Sequence, residues 1–377
     1  MTATSLHSVQ GLRLERFFAE LGPRARHLLC TSDIEPLRLR ELLDLADPGT
    51  RELWDGLALG YTEPGGMPAL RAEIAGTYTA IEPDEVVTFT GADEAIFLAL
   101  NAILRPGDHA VVTWPAYQSL QEVAYAAGAD VTLLPLDRDS GWALDLDALR
   151  RAIRPTTRVV IVNFPHNPTG ALPDRATLDA AEAIAAEVGA CFFSDEVYRH
   201  LEYDAADLLP AAADYGGQAV SVGVMSKAFG LAGLRIGWIA TKDRDLLERI
   251  STYKEYISAC NSAPSEVLAL IALRARAVLF DRSLGLLAGT WSCSTASSPS
   301  GRGCSNGYGR AQAASGSPGS TPPSTSRHSP CGSSSRRACC SSRARSTTTP
   351  ATTSGSGSAM PISPRRWPGS NGSRTAS

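Results

Sequence analysis

The chain has 377 residues, 44% of them hydrophobic, and 35 Lys and Arg against 39 Asp and Glu, a formal net charge of −4. That is enough apolar material for a sizeable core and for two lobes, while no apolar run reaches the roughly 20 residues of a membrane span. Met1 to Gly22 mixes acidic and basic residues without a continuous apolar stretch, so the expectation is a cytoplasmic protein with no membrane partner.

The averages conceal a break near Trp291. The first 291 residues hold all 39 acidic residues and 25 of the 35 basic ones, a balance of −14. The last 86 hold ten Arg and no Lys, Asp, Glu, Val, Leu or Phe, a balance of +10. A segment built from Ser, Gly, Pro, Thr, Ala and Arg cannot bury enough apolar surface to offset its ordering entropy. It is also what GC-rich coding DNA yields when read out of frame. Regrouping the codons of Thr352 to Ala359 by one base allows Asp or Asn twice, then Phe, Arg, Ile, Gly, Phe and Gly. A frameshift between about Ser283 and Trp291 is therefore expected, with a genuine disordered tail as the alternative. Cys30, Cys191 and Cys260 precede the break and the other five cysteines follow it, without the spacing of a disulfide framework or a zinc site. The first three read as isolated buried thiols, and no metal is expected.

Before the break, short β-rich runs alternate with helical patterns. Strands are expected at Val86 to Thr90, Ala110 to Trp114, Val131 to Leu136, Val159 to Phe164, Ala190 to Ser194, Ala219 to Val224 and Ile236 to Thr241. Helices such as Asp93 to Leu104, Ala176 to Val188 and Arg244 to Tyr256 show apolar residues at three- and four-residue spacing. The alternation predicts an α/β layered fold with a largely parallel sheet, whose ligand sits beyond the carboxyl ends of the strands. Asn167, Asp195 and Lys227 each follow such a strand end, which brings an amide, a carboxylate and an amine to one edge.

The strings NFPHNPTG (Asn163 to Gly170), SDEVY (Ser194 to Tyr198) and SKAFGLAGLRIGW (Ser226 to Trp238) occur in that order. With YTEPGG (Tyr61 to Gly66), TGADEAI (Thr90 to Ile96) and WPAY (Trp114 to Tyr117), the chain resembles class I and II aminotransferases over roughly residues 10 to 290. These are pyridoxal-5'-phosphate (PLP) enzymes of the aspartate-aminotransferase fold type. The resemblance implies a three-layer large domain around a mostly parallel sheet and a small C-terminal α+β domain, truncated or scrambled here. Residues 1–45 would form an N-terminal arm, 46–262 the large PLP-binding domain, 263–290 the start of the small domain and 291–377 the low-complexity tail.

It also implies roles. Lys227, one of three lysines with Lys242 and Lys254, matches the Schiff-base lysine that shuttles the proton; a solvated surface lysine is the plain alternative. Arg235 matches the phosphate-binding arginine, whose planar fork suits phosphate oxygens, or is a surface arginine. Asp195 matches the carboxylate that keeps the pyridine nitrogen protonated, or caps a helix. Asn167 and Tyr198 match the donors to the phenolic oxygen, although Asn167-Pro168 would also make a simple turn. Tyr117 matches the aromatic stacked on the ring, or is a core aromatic. Gly91, Ala92 and Asp93, between strand and helix, suit phosphate as well as an ordinary turn. Ser226 flanks the lysine. Tyr61 matches the tyrosine that reaches a neighbouring subunit's phosphate, which implies a homodimer, or is a core tyrosine. Ser32, Asp33 and Glu35 lie where the family's first segment folds over the site, or form an exposed charged loop.

The substrates implied are an amino acid and a 2-oxo acid. Other PLP chemistry, by a lyase or cyclising enzyme, remains open, as does a non-catalytic PLP-binding frameshift product. Two positions depart from the family. Val224 stands where many members have a small hydroxyl or glycine, and the Arg-x-Gly-x-Gly string that grips the substrate carboxylate is not written; the regrouped frame would place it at Ser354 and Gly355. Little transamination is expected of this exact chain. No basic groove with interleaved aromatics precedes the break, so specific nucleic-acid binding is not expected.

Overall fold

The computed structural model describes residues 9–26 and 31–296, with side chains described as far as residue 290. The out-of-frame reading of the tail, the regrouped arginine at Ser354 and Gly355, and Cys30 all lie outside the described residues.

Among the described residues, four α-helices come first: α1 (Arg13–Leu21), α2 (Leu39–Leu43), α3 (Pro48–Asp55) and α4 (Pro68–Ala75). Alternation then begins with β1 (Val86–Phe89), α5 (Ala92–Ile103), β2 (His109–Trp114), α6 (Gln118–Ala126), β3 (Asp130–Pro135) and α7 (Leu146–Ala152). It continues with β4 (Thr157–Asn163), α8 (Arg175–Glu187), β5 (Cys191–Asp195), α9 (Ala212–Tyr215), β6 (Ala219–Val224) and β7 (Gly237–Thr241). The helices α10 (Arg244–Ile257), α11 (Ala263–Arg274) and α12 (Arg276–Ala296) close the described part. Several helices start where an aspartate satisfies first-turn amides: Asp47 accepts from Gly49 N at 2.8 Å, Asp174 from Thr177 N at 2.7 Å and Asp243 from Leu246 N at 2.9 Å.

The seven strands form one sheet in the order β1-β7-β6-β5-β4-β2-β3. Every neighbouring pair is parallel except those of β7, which runs antiparallel to both β1 and β6. Each expected strand is present to within two residues. One detail differs: Asp195 is the last residue of β5, paired with Asn163, rather than the first residue beyond the strand. Because both faces of a parallel sheet are covered, its strands read as near-continuous apolar runs. The side chains nevertheless sort by alternation: Val159, Ile161 and Phe193 enter the core under α5 and α6, whereas Val160, Val162 and Phe192 enter the core with α8. A third core joins Leu70 and Ile74 of α4 to Leu270 and Ile271 of α11 and to Met225 and Phe229 around the lysine loop. The α/β, three-layer expectation for this region therefore holds.

The edge formed by β1 and β7 depends on glycine. Gly91 (φ +88°) leads from β1 into α5, and a Cβ on Gly237 of β7 would lie 2.6 Å from Gly91 C and 2.7 Å from Ala92 N. Only two glycine-bare backbones can approach this closely. Gly237→Ala should therefore destabilise the protein by about 1–3 kcal/mol in denaturant titration. Gly285→Ala, in open space on α12, should be neutral or stabilise by up to about 1 kcal/mol. Equal effects would contradict the close-approach account.

Candidate active site

The carboxyl ends of β4, β5 and β6 open onto one pocket of about 660 Å³, within the roughly 300–1,000 Å³ of small-molecule sites. Ala92, Asp93, Tyr117, Asn167, Asp195, Tyr198, Ser226, Lys227 and Arg235 all line it. Gly91 lies beneath, its Cβ position 3.1 Å from Arg235 Cζ. Tyr61 is 95% exposed and is not among the lining residues, so within this chain it stands apart from the others. A second cavity of about 620 Å³, lined by Asp174, Arg175, Arg199 and Asp214 among others, contains no lysine.

Asp195 forms the floor. It is 2% exposed, and Val197 N donates to its Oδ1 at 3.2 Å. Burial raises its pKa to about 7, and the Val197 hydrogen bond offsets this only in part. Its backbone is held by Asn163, whose Nδ2 donates to Asp195 O at 2.9 Å while its Oδ1 accepts from Asn167 N at 2.9 Å. One buried amide at the end of β4 thus sets both the carboxylate strand and the Asn167 loop. His166 braces the same loop, with Nδ1 2.6 Å from Thr169 Oγ1 and Nε2 2.6 Å from Pro115 O. Asn163 and His166 lie within the string that carries the resemblance, yet neither is among the residues to which the resemblance assigns a role. The usable signal is that polar side chains ending an apolar strand must be satisfied somewhere.

Lys227 sits in a tight loop after β6, where Gly230 N donates to Lys227 O at 3.0 Å. Buried Ser283 of α12 holds the loop from outside, its Oγ donating to Ala228 O at 2.8 Å. Lys227 Nζ lies 5.7 Å from the centre of the Tyr198 ring and donates to Asp33 Oδ1 at 2.7 Å and Ser32 Oγ at 3.1 Å. Burial opposes the charged amine, but Tyr198, Asp33 and Asp195 together outweigh it, and the pKa stands above the ordinary lysine value. Of the two open readings for Ser32 and Asp33, the structure supports contact with the site. Glu35 contributes a backbone carbonyl instead, accepting from Arg282 Nη1 at 2.8 Å.

On the opposite wall, Tyr117 Oη donates to Asp93 Oδ1 at 3.0 Å, and burial, then the charge of Asp93, pushes the phenol pKa well up. Arg235 adopts a left-handed conformation (φ +51°), with Nη2 3.9 Å from Asp93 Oδ2. Its guanidinium therefore faces the amino terminus of α5, where backbone N–H groups are free of helical partners. Leu12, Leu14, Glu15 and Phe18 of the α1 segment also line the pocket, and no motif in the sequence marks them as site residues.

A lysine, a buried carboxylate, an amide, a phenol and an arginine at a helix start match the order of strings that carries the resemblance. Residues 45–291 match the family model described as aminotransferase class I and II. The chain belongs to that family. Among its relatives is a probable N-succinyldiaminopimelate aminotransferase, DapC, of Mycobacterium tuberculosis, 37% identical over 232 residues that cover 58% of each chain. The aminotransferase-family chain thus spans little more than half the length of that curated relative. Capreomycidine synthase of Streptomyces vinaceus is 36% identical over 262 residues, covering 69% of this chain and 67% of that one. A crystal structure of a PLP-dependent aminotransferase from Streptococcus suis superimposes with a TM-score of 0.72 at 29% identity, covering 78% of this chain and 79% of that chain. PLP is the cofactor that the family and this fold neighbour imply.

Asp195 offers a test of the site's electrostatics. An acid whose folded pKa is raised adds stability at low pH, and that contribution is lost as pH rises to the folded value. In protein freed of bound small molecules, Asp195→Asn should therefore be more stable than wild type at pH 8, by on the order of a few kcal/mol. The gain should shrink as pH falls from about 7 towards 4. Thermal unfolding across pH measures it; no gain at pH 8 would contradict the burial penalty.

Proposed function

We propose that the chain is a PLP-dependent aminotransferase that moves an amino group from an amino acid to a 2-oxo acid. The observation that carries this reading is the convergence of Lys227 and Asp195 in one pocket whose far wall pairs Arg235 with the start of α5. The residues fit the cofactor. Asp195 is a carboxyl penalised by burial, and a cationic ring N–H against it would relieve that penalty. Arg235 and the first amides of α5, with Gly91 below them, suit a phosphate.

When bound, PLP supplies an electron sink for the electrons left when a bond to the substrate's α-carbon breaks. Lys227 supplies the amine nucleophile and then the base that moves the α-proton. Asp195 would hold a proton at the ring nitrogen. Asn167 and Tyr198 would donate to the phenolic oxygen, Tyr117 would pack against the ring, and Ser226 with Gly91, Ala92, Asp93 and Arg235 would hold the phosphate. Residues 46–262 would be the large domain, with 1–45 as its arm and 263–290 starting the small one. Exposed Tyr61, beside exposed Leu59, is proposed to face a second copy in a cytoplasmic homodimer.

Arg235 is the one guanidinium lining the pocket among the described residues. With Arg235 assigned to phosphate, no second arginine lines the pocket among the described residues; because the carboxylate-gripping string is also not written in the sequence, turnover by this exact chain is expected to be low. A second reading, cyclisation of an amino-acid precursor, is favoured by the similarity to capreomycidine synthase, which covers more of this chain than the DapC match does.

A single-turnover incubation with excess amino donor separates these readings. Transfer predicts one equivalent of 2-oxo acid per site, and its rate should fall at least about 100-fold in Asp195→Asn. A cyclised product without 2-oxo acid would replace the transferase with the second reading. No product from any donor would remove both.

A further inference from the structure

The segment carrying Ser32 and Asp33 is anchored independently of the lysine it touches. Ile34 is 7% exposed and packs on the lysine loop, where the Cβ position of Gly230 lies 3.3 Å from Ile34 Cγ2 and 3.4 Å from Glu35 O. Arg282 of α12 holds the Glu35 carbonyl. Asp33 is therefore fixed at the pocket by its neighbours on the chain. Its carboxylate is half-exposed, with Lys227 Nζ as its ion-pair partner.

That partner has other work. To act as a nucleophile the amine must be neutral, and once its nitrogen is engaged it no longer offers Asp33 a full cation. Asp93 already has Tyr117 and Arg235, and Asp195 lies at the buried floor. Asp33 is then left as a fixed acidic group beside the position where an amino donor arrives. Glu15 of α1 lines the same pocket, close enough for its charge to act on Tyr117. It too is on an anchored element: Arg13 N donates to Gln118 Oε1 at 2.8 Å. An amino acid with a neutral side chain cannot match two such carboxylates, and a basic one can.

We propose that Asp33 is a specificity-determining residue that selects an amino donor bearing a second cation, a guanidinium or an ammonium on its side chain, with Glu15 as a further acceptor. This rests on the PLP-enzyme reading above and narrows its substrate class. It does not depend on whether the bond-breaking step leads to transfer or to cyclisation.

The test uses the full chain loaded with PLP and two probes of nearly equal shape, L-arginine and L-citrulline, whose affinities are measured by calorimetry. The visible band of the bound cofactor is recorded first. Without that band the PLP-enzyme reading fails, and this inference with it. With the band present, arginine should bind at least about tenfold tighter than citrulline, as expected for a charged hydrogen-bonded pair. Asp33→Asn should bring the two to within about twofold, chiefly by weakening arginine. Glu15→Gln should narrow the preference without abolishing it. Equal affinities in the wild-type chain, no detectable arginine binding, or a preference that survives Asp33→Asn would each overturn the assignment.

Discussion

A carboxylate with almost no access to water sits at the end of the central strand β5, and the site is arranged around it. Removing Asp195 from solvent raises its pKa to about 7, and the one backbone N–H aimed at it compensates only partly. A group in this position destabilises the protein unless something cationic meets it. The surrounding structure nevertheless keeps it in place. The register of β4 against β5 puts Asn163 beside Asp195, and the Asn163 amide binds the aspartate backbone and the Asn167 loop together. On the other side, the Gly91–Gly237 approach brings the start of α5 down to the same edge, with Arg235 against it. These features are intelligible together if the pocket receives a ligand with a cationic nitrogen at one end and a phosphate at the other.

The three lysines show why position outranks basicity in assigning the nucleophile. Lys254 is 1% exposed, and burial lowers its pKa, the usual mark of an activated amine. Yet Lys254 Nζ donates to Pro64 O at 2.5 Å and is absent from the pocket lining. Its neighbour Glu266 accepts from Met67 N at 3.2 Å and from Asn261 Nδ2 at 3.1 Å, so the cluster pins the loop around Gly65 to the sheet edge. Lys227 has the higher pKa, yet it points into the cavity shared with Asp195 and Tyr198. In this site the acidic neighbours of Lys227 hold a proton on it that the chemistry must remove.

Much of this was legible in the sequence because the signals were local. Apolar runs marked every strand of the sheet to within two residues. The strings after β4, β5 and β6 carry the amide, the carboxylate and the amine in order, and folding brings strand ends of a parallel sheet together as a matter of course. Contacts made across long chain separations were not legible. The Lys227–Asp33 ion pair joins residues 194 apart, and Arg282 reaches Glu35 across 247. Nothing in the pattern of Leu12 to Phe18 says that one face of a short helix will wall the pocket. The antiparallel insertion of β7 between β1 and β6 likewise depends on two glycines meeting in space.

The central claim is that Lys227 is the residue to which PLP attaches, and one measurement bears on it directly. The loaded chain is reduced with borohydride, digested, and its peptides sequenced by mass spectrometry. The cofactor mass should appear on the peptide containing Ser226-Lys227-Ala228 and on no other. Attachment at buried Lys254 or at Lys242 would contradict the assignment of Lys227 as the nucleophile.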